Sequence, residues 1–209
     1  MSQKLIQQAK VKTNLTKGSI CSIDVQAITF ESLWGAYPSD RPSQAAHKED
    51  VQDSKGNIIA KKGDLLYDNQ CAIKVSVAIH GAGVEMKSFR GAATAVNGKK
   101  TAIRAAELAE WLKKQPFCGL PMKPVNIVGN DWQNKIKGKT GIVFFSNYWK
   151  REGQKHLDGD HIDLWNGSRL TSSGLRGAMT SFARFTLRLN TLWYSDLGAS
   201  SEILFWEIK

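Results

Sequence analysis

No stretch of this 209-residue chain stays apolar for the ~20 residues that a membrane-spanning helix needs; the best run, Thr140 to Phe145, is broken by Ser146 and Asn147. Insertion into a membrane is therefore not expected. Proline is scarce, 5 residues beside 18 glycines, which excludes collagen-like and Pro-rich linker classes. Cysteine is scarcer. Cys21, Cys71 and Cys118 are too widely spaced for a structural zinc pattern, and 3 thiols cannot all pair within one chain. The N-terminus, Met1-Ser2-Gln3-Lys4-Leu5-Ile6-Gln7-Gln8, has neither the apolar segment nor the small-residue cleavage site of a secretory signal, so the chain is expected to start in the cytoplasm. Acidic residues are in deficit, 19 against 29 lysines and arginines, for a net charge of +10.

That charge favours an acidic partner without choosing one. Lys61, Lys62, Lys99, Lys100, Lys113, Lys114, Lys135, Lys137 and Lys139 are scattered, with no run of four and no interleaved aromatics. Such scattering reads as a solvated basic face, and no recognition motif accompanies it, so nucleic acid is not the expected partner. With 42% apolar and 23% charged residues, the chain has the composition of one globular unit able to bury a core.

Residues 1–27 are polar and weakly patterned, and read as an N-terminal extension holding at most short extended pieces. From Thr29, a plausible N-cap, the apolar stripe Phe30, Leu33, Trp34, Tyr37 has helical spacing and stops at Pro38. Residues 38–68 read as a loop with a small hairpin around Ser54-Lys55-Gly56-Asn57. Cys71 to His80 is a run of small and apolar residues preceded by Asp68-Asn69-Gln70 and followed by Gly81 and Gly83, the pattern of a buried helix with an Asp or Asn cap. A further helix is expected over Ala102–Lys114, capped by Thr101. Ile142 to Phe145 reads as a central strand, His161 to Trp165 as an alternating strand, and Asn166-Gly167 as a hairpin turn leading to a strand at Ser168 to Leu170. Residues 173–200 read as an insertion, and Ile203 to Ile208 as a closing strand. Helices first and an antiparallel sheet afterwards make an α+β pattern.

A thiol in the first turn of a helix meets the positive end of the macrodipole and unpaired backbone N–H groups, which favour the thiolate. Cys71 is thus a candidate nucleophile, against the plainer role of a small buried hydrophobe. Its base must come from His47, His80, His156 or His161. His47 and His156 lie in charged loops. His80 ends the helix that Cys71 begins, more than about 10 Å away at the ~1.5 Å helical rise. His161 starts a strand, and a strand-borne imidazole held against a helix-borne thiol is the papain-type arrangement. Asp163 projects from the same strand face. The cluster His156-Leu157-Asp158-Gly159-Asp160-His161-Ile162-Asp163 also raises a metal site, but neighbouring strand positions point to opposite faces and an Asp-rich turn usually serves turn chemistry, so neither a metal nor a cofactor is expected.

Four ordered blocks carry a resemblance: Phe30-Glu31-Ser32-Leu33-Trp34-Gly35-Ala36-Tyr37-Pro38, Asn69-Gln70-Cys71-Ala72-Ile73-Lys74-Val75-Ser76, Gly138-Lys139-Thr140-Gly141-Ile142-Val143 and Gly159-Asp160-His161-Ile162-Asp163-Leu164-Trp165-Asn166-Gly167. Together they resemble the type VI secretion amidase effectors of the fourth family, which are papain-like and related to the NlpC-type cell-wall peptidases. The resemblance implies one papain-like domain over residues 28–209, with N-terminal helices packed on a central antiparallel sheet. It implies hydrolysis of the peptidoglycan stem between D-glutamate and meso-diaminopimelate, delivery by the type VI secretion machinery, action in a target cell's periplasm, and a cognate immunity protein. It matches Cys71 to the nucleophile and His161 to the general base. The family's aspartate eleven residues after the histidine falls on Ser172 here, so the third member is Asp163 or Ser172, with Thr171 beside them. A phage or housekeeping lysin of the same fold, and a non-catalytic basic binding module with Cys71 and His161 in its core, are the other readings of these residues.

Overall fold

The computed structural model describes residues 6–12, 20–67, 69–149, 159–171 and 197–209. The chain opens with two paired strands, β1 (Ile6–Lys12) and β2 (Ile20–Gln26), antiparallel from Ile6 opposite Gln26 to Lys12 opposite Ile20. The polar N-terminal extension is thus a regular hairpin. Helix α1 (Phe30–Gly35) follows, with the Thr29 hydroxyl accepting from the Ser32 N–H at 3.2 Å and Phe30 and Leu33 turned into the core. Strands β3 (Val51–Gln52) and β4 (Ile58–Ala60) form the small hairpin expected in the next loop, its turn held by the Asp53 carboxylate on the N–H groups of Lys55 and Asn57.

Helix α2 (Cys71–Gly81) is buried along most of its length, with Cys71, Ala72, Ile73, Val75, Ser76, Ala78 and Ile79 inside. Its cap is not the Asp or Asn side chain expected. Gln70 is the N-cap residue and makes no side-chain capping bond, Asn69 instead reaches the Cys71 N–H, and Asp68 lies outside the described residues. After it come β5 (Ala93–Val96), β6 (Lys99–Ala102) and α3 (Ala105–Leu112). Here the structure corrects the sequence reading. Thr101 is no helix cap but a buried member of β6, donating from Oγ1 to the Thr94 carbonyl at 3.0 Å, and α3 begins after Arg104 with no side-chain cap. The overlooked signal was Asn97-Gly98, whose φ angles of 49° and 72° make the tight turn that joins two short strands.

The remaining elements are β7 (Val125–Asn126), α4 (Trp132–Lys135), β8 (Gly141–Trp149), β9 (Gly159–Trp165) and β10 (Glu202–Glu207). Four of the strands make one antiparallel sheet in the order β7-β10-β8-β9. One face carries Ile142, Phe144, Ile162, Leu164, Leu204 and Trp206 against α2 and α3, and the other carries Val143, Phe145, Trp165, Ile203 and Phe205 against α4, Leu170 and Leu197. Because both faces are covered, β9 is buried from Ile162 to Trp165 without exception, and the alternation expected there is of side and not of exposure. The strand expected at Ser168 to Leu170 is reduced to one bridge between Trp165 and Leu170. The Asn166 carboxamide takes the N–H groups of Ser168 and Arg169, so they do not enter a ladder. Residues 173–196 of the expected insertion lie outside the described residues.

Gly141 sits where β8 is flanked by both β9 and β10, and a Cβ there would come within 1.9 Å of the Trp206 carbonyl oxygen. Relief requires the ladder itself to move. Gly141→Ala is therefore expected to destabilise the fold by about 2 kcal/mol or more, read as a lower urea midpoint at unchanged slope. An unshifted midpoint would show that the strands part freely at this point.

Candidate active site

The N-terminus of α2 meets the edge strand β9, and this junction brings together the residues singled out by type and spacing. Cys71 is buried at the first position of α2, 9% exposed. The segment leading to it is fastened by Gln70, whose carboxamide accepts from the Ser43 N–H at 3.0 Å and donates to the Ser43 carbonyl at 2.8 Å and the Tyr67 carbonyl at 3.1 Å. Gln70 thereby pins the loop of residues 43–67 against the start of the helix.

The Cys71 side chain and the Asp163 carboxylate both interact with the imidazole of His161, with Nε2 to the Asp163 Oδ2 at 3.6 Å. That separation is ion-pair reach, longer than an ordinary hydrogen bond. The ring stacks on Phe145 at 6.2 Å and meets Tyr148 edge-on at 6.3 Å, so its tilt is fixed by packing from β8. Asp163 has no solvent exposure. Its carboxylate accepts from its neighbour's backbone, the Leu164 N–H, at 2.8 Å, and from the Thr171 hydroxyl. The Tyr37 hydroxyl, from the residue just past α1, contacts both Thr171 and Asp163.

The electrostatics follow from this packing. Burial by itself drives the His161 imidazole toward neutrality, but the interactions with Asp163 and Cys71 outweigh it and push its pKa up to about 10. Burial likewise opposes charge on Asp163, and the ion pair with His161, then Thr171 and the Leu164 N–H, hold its carboxyl below the usual range. Tyr37 is shifted strongly upward, first by burial and then by the Asp163 charge, so its hydroxyl keeps its proton. Lys74, one turn along α2 from Cys71, has its ammonium 5.8 Å from the centre of the Tyr37 ring; burial pulls its pKa down and Asp163 partly restores it.

The other histidines lie elsewhere or are not described. His80 Nε2 is 2.6 Å from the Lys100 carbonyl, at the far end of α2. His47 belongs to the loop of residues 43–67, its N–H donating to the Asp64 carbonyl. His156 and Ser172 lie outside the described residues. Trp165 is buried, with its indole N–H on the Ile136 carbonyl at 3.0 Å and its ring edge-on to Trp132. The Cys71 N–H, a natural oxyanion donor, is engaged by the Asn69 Oδ1 at 3.2 Å. Tyr37 was legible only as the last residue of an apolar helix stripe; that it alone in the stripe carries a hydroxyl was the available signal.

A family model described as type VI secretion system (T6SS), amidase effector protein 4, matches residues 67–206. The effector Tae4 from Enterobacter cloacae is similar in structure, with a TM-score of 0.52 and 17% identity over 88% of this chain and 99% of that one. The Tae4 of the effector–immunity system Tae4/Tai4 from Salmonella typhimurium gives 0.48 and 16% identity over 87% and 99%. The Salmonella typhimurium effector Tae4 in complex with the immunity protein Tai4 from Enterobacter cloacae gives 0.43 and 21% over 68% and 76%. No curated protein matches the chain.

The raised His161 pKa has a stability consequence whose sign is fixed by linkage. Its contribution is complete below the ordinary 6.5 and is lost as pH rises from there through about 10, while the contribution of Asp163 is present above the ordinary 3.8 and is lost as pH falls below it. NMR titration of His161 is expected to show imidazolium persisting through neutral pH, and Asp163→Asn should bring the midpoint down. A parent midpoint near 6.5 would refute the ion-pair description.

Proposed function

Because the chain belongs to the type VI secretion amidase effector 4 family, we propose that it is a cysteine amidase acting on the peptide stem of peptidoglycan, cutting between D-glutamate and meso-diaminopimelate. The observation that carries the cysteine chemistry is the chain of contacts from Cys71 at a helix start, through the His161 ring, to the buried carboxylate of Asp163. A helix-borne thiol against a strand-borne imidazole is the papain-like solution, and it fits a sheet whose edge strand faces the N-terminus of α2.

With Nε2 turned to Asp163, Nδ1 remains for the thiol. His161 takes the Cys71 proton, and the sulfur attacks the amide carbonyl carbon. The developing oxyanion is held by the Cys71 N–H once it displaces the neutral Asn69 carboxamide, an exchange favoured because a charged acceptor binds a backbone donor more strongly. His161 then protonates the leaving amine as the C–N bond breaks, and a thioester remains on Cys71. The same imidazole, now neutral, takes a proton from water, whose oxygen attacks the thioester, releases the carboxylate product and restores the thiolate–imidazolium pair. Asp163 stays ionised throughout and stabilises the imidazolium. No step requires a metal or cofactor.

The net charge of +10 suits a wall rich in carboxylates and would speed encounter more than it sets specificity. Delivery through the secretion machinery into a target periplasm, and neutralisation by a cognate immunity protein, complete the reading. The chemistry is tested on purified Gram-negative sacculi, with mass analysis of the released fragments. Cys71→Ala is expected to abolish release with circular dichroism unchanged, and Asp163→Asn to lower turnover about 10²-fold or more. Parent-level release by Cys71→Ala would sink the assignment. Exported to the periplasm the chain should lyse cells that tolerate it in the cytoplasm; equal toxicity in both compartments would point to a different target.

A further inference from the structure

An ionised carboxylate without solvent needs more than one cation to be stable, because desolvation removes every water that would have bonded its lone pairs. Asp163 is such a group, and His161 reaches it only at 3.6 Å. Its side-chain hydroxyl partners come from outside β9. Thr171, beyond the Asn166-Gly167 turn, donates its hydroxyl to Oδ1, which also accepts the Leu164 N–H at 2.8 Å. The Tyr37 hydroxyl touches the same carboxylate and the same threonine, and the carboxylate has no proton to offer, so the phenol donates.

Both residues are held in place by backbone hydrogen bonds. Tyr37 follows the C-terminus of α1, with its N–H on the Trp34 carbonyl at 3.3 Å, and its ring is covered by Lys74 of α2. Close approach of the two helices is allowed by Gly81, where a Cβ would fall 2.4 Å from that of Ala36. Thr171 is tied back by its N–H to the Leu164 carbonyl at 3.1 Å. The groups facing Asp163 are therefore His161 from its own strand, Cys71 and Lys74 from α2, Tyr37 from the end of α1, and Thr171.

We propose that Tyr37 and Thr171 are positioning residues that hold Asp163 oriented and ionised behind His161, so that the two hydroxyls do for this carboxylate what solvent cannot. Neither touches the scissile bond, and both act through Asp163. The assignment rests on the amidase reading for its purpose but not for its geometry, and the experiment separates the two.

The measurement is the titration of Asp163 in the full-length chain, by carbon-13 NMR of labelled aspartate side chains assigned through Asp163→Asn, beside the pH profile of kcat/KM on sacculi. Two to three hydrogen bonds lower a carboxyl by about two pH units, so losing one donor should raise Asp163 by about one. Tyr37→Phe and Thr171→Val are each expected to raise the Asp163 midpoint by that amount, to carry the acid limb of kcat/KM upward with it, and to lower kcat while KM holds. Thr171→Ser keeps a hydroxyl and should restore the parent midpoint. An unmoved Asp163 midpoint in both Tyr37→Phe and Thr171→Val, measured on folded protein, would overturn the proposal. So would a Thr171→Ser midpoint equal to that of Thr171→Val. If instead the midpoints shift as expected but Cys71→Ala still releases wall fragments, the positioning roles stand and the amidase mechanism falls.

Discussion

A carboxylate sealed from water is the constraint around which this molecule is organised. Asp163 could lower its cost by taking a proton, as isolated buried carboxyls do, yet its partners hold it in the charged form. Those partners come from four parts of the chain: His161 and the Leu164 N–H of β9, Thr171 after the turn, Tyr37 after α1, and Lys74 of α2 acting through charge. Removing one of them strands a charge in the interior, which is far more costly than losing a solvated ion pair. The site and the junction of helix and sheet are therefore one structure.

The two-faced sheet supplies the rigidity that this arrangement needs. β8 places Phe145 and Tyr148 against the His161 ring, and Trp132, Trp165 and Phe145 lock edge-to-face beneath it at 4.9 and 5.3 Å between centroids. On the opposite face α2 is held by its small residues and by Ser76, whose hydroxyl accepts the Ala102 N–H of β6 at 3.1 Å while donating to the Ala72 carbonyl. Gln70 fixes the helix start from the other direction. Thiol, imidazole and carboxylate thus sit on elements that cannot rotate independently, so orientation costs little at the moment of reaction.

What could be read from the sequence was what local chemistry decides. The stripe Phe30, Leu33, Trp34, Tyr37 with Thr29 before it is a helix signal, and α1 starts where that cap directs but ends at Gly35, which leaves Tyr37 just past it. Cys71 at a helix start and His161 beside Asp163 on a strand followed from spacing alone. The failures were of two physical kinds. At Thr101 a good capping residue was assigned to the next helix although Asn97-Gly98, three positions earlier, had already committed it to a hairpin; turn chemistry overrode cap propensity. At Asn166 the side chain satisfied the backbone groups that a continuing strand would have used. Tyr37 was legible as a core aromatic and not as a partner of Asp163, because its apolar ring and its polar tip serve different neighbours, and only tertiary packing puts the tip on Asp163.

In the proposed site the counter-charge to the imidazole comes from position 163 and not from position 172. A carboxylate two residues from the histidine on the same strand needs no separate loop to bring it near the imidazole, because the pleat already puts both on one side. What the strand cannot supply is solvation, since β9 is covered on both faces. A carboxylate on a loop would keep some water, whereas one inside the strand must collect hydroxyl and backbone donors instead. Thr171 and Tyr37 answer that need, the first from just beyond the Asn166-Gly167 turn and the second from across the helix layer. On the proposed reading the carboxylate at position 163 and the hydroxyls around it work as one unit, since a serine at position 172 would by itself give the imidazolium no counter-charge.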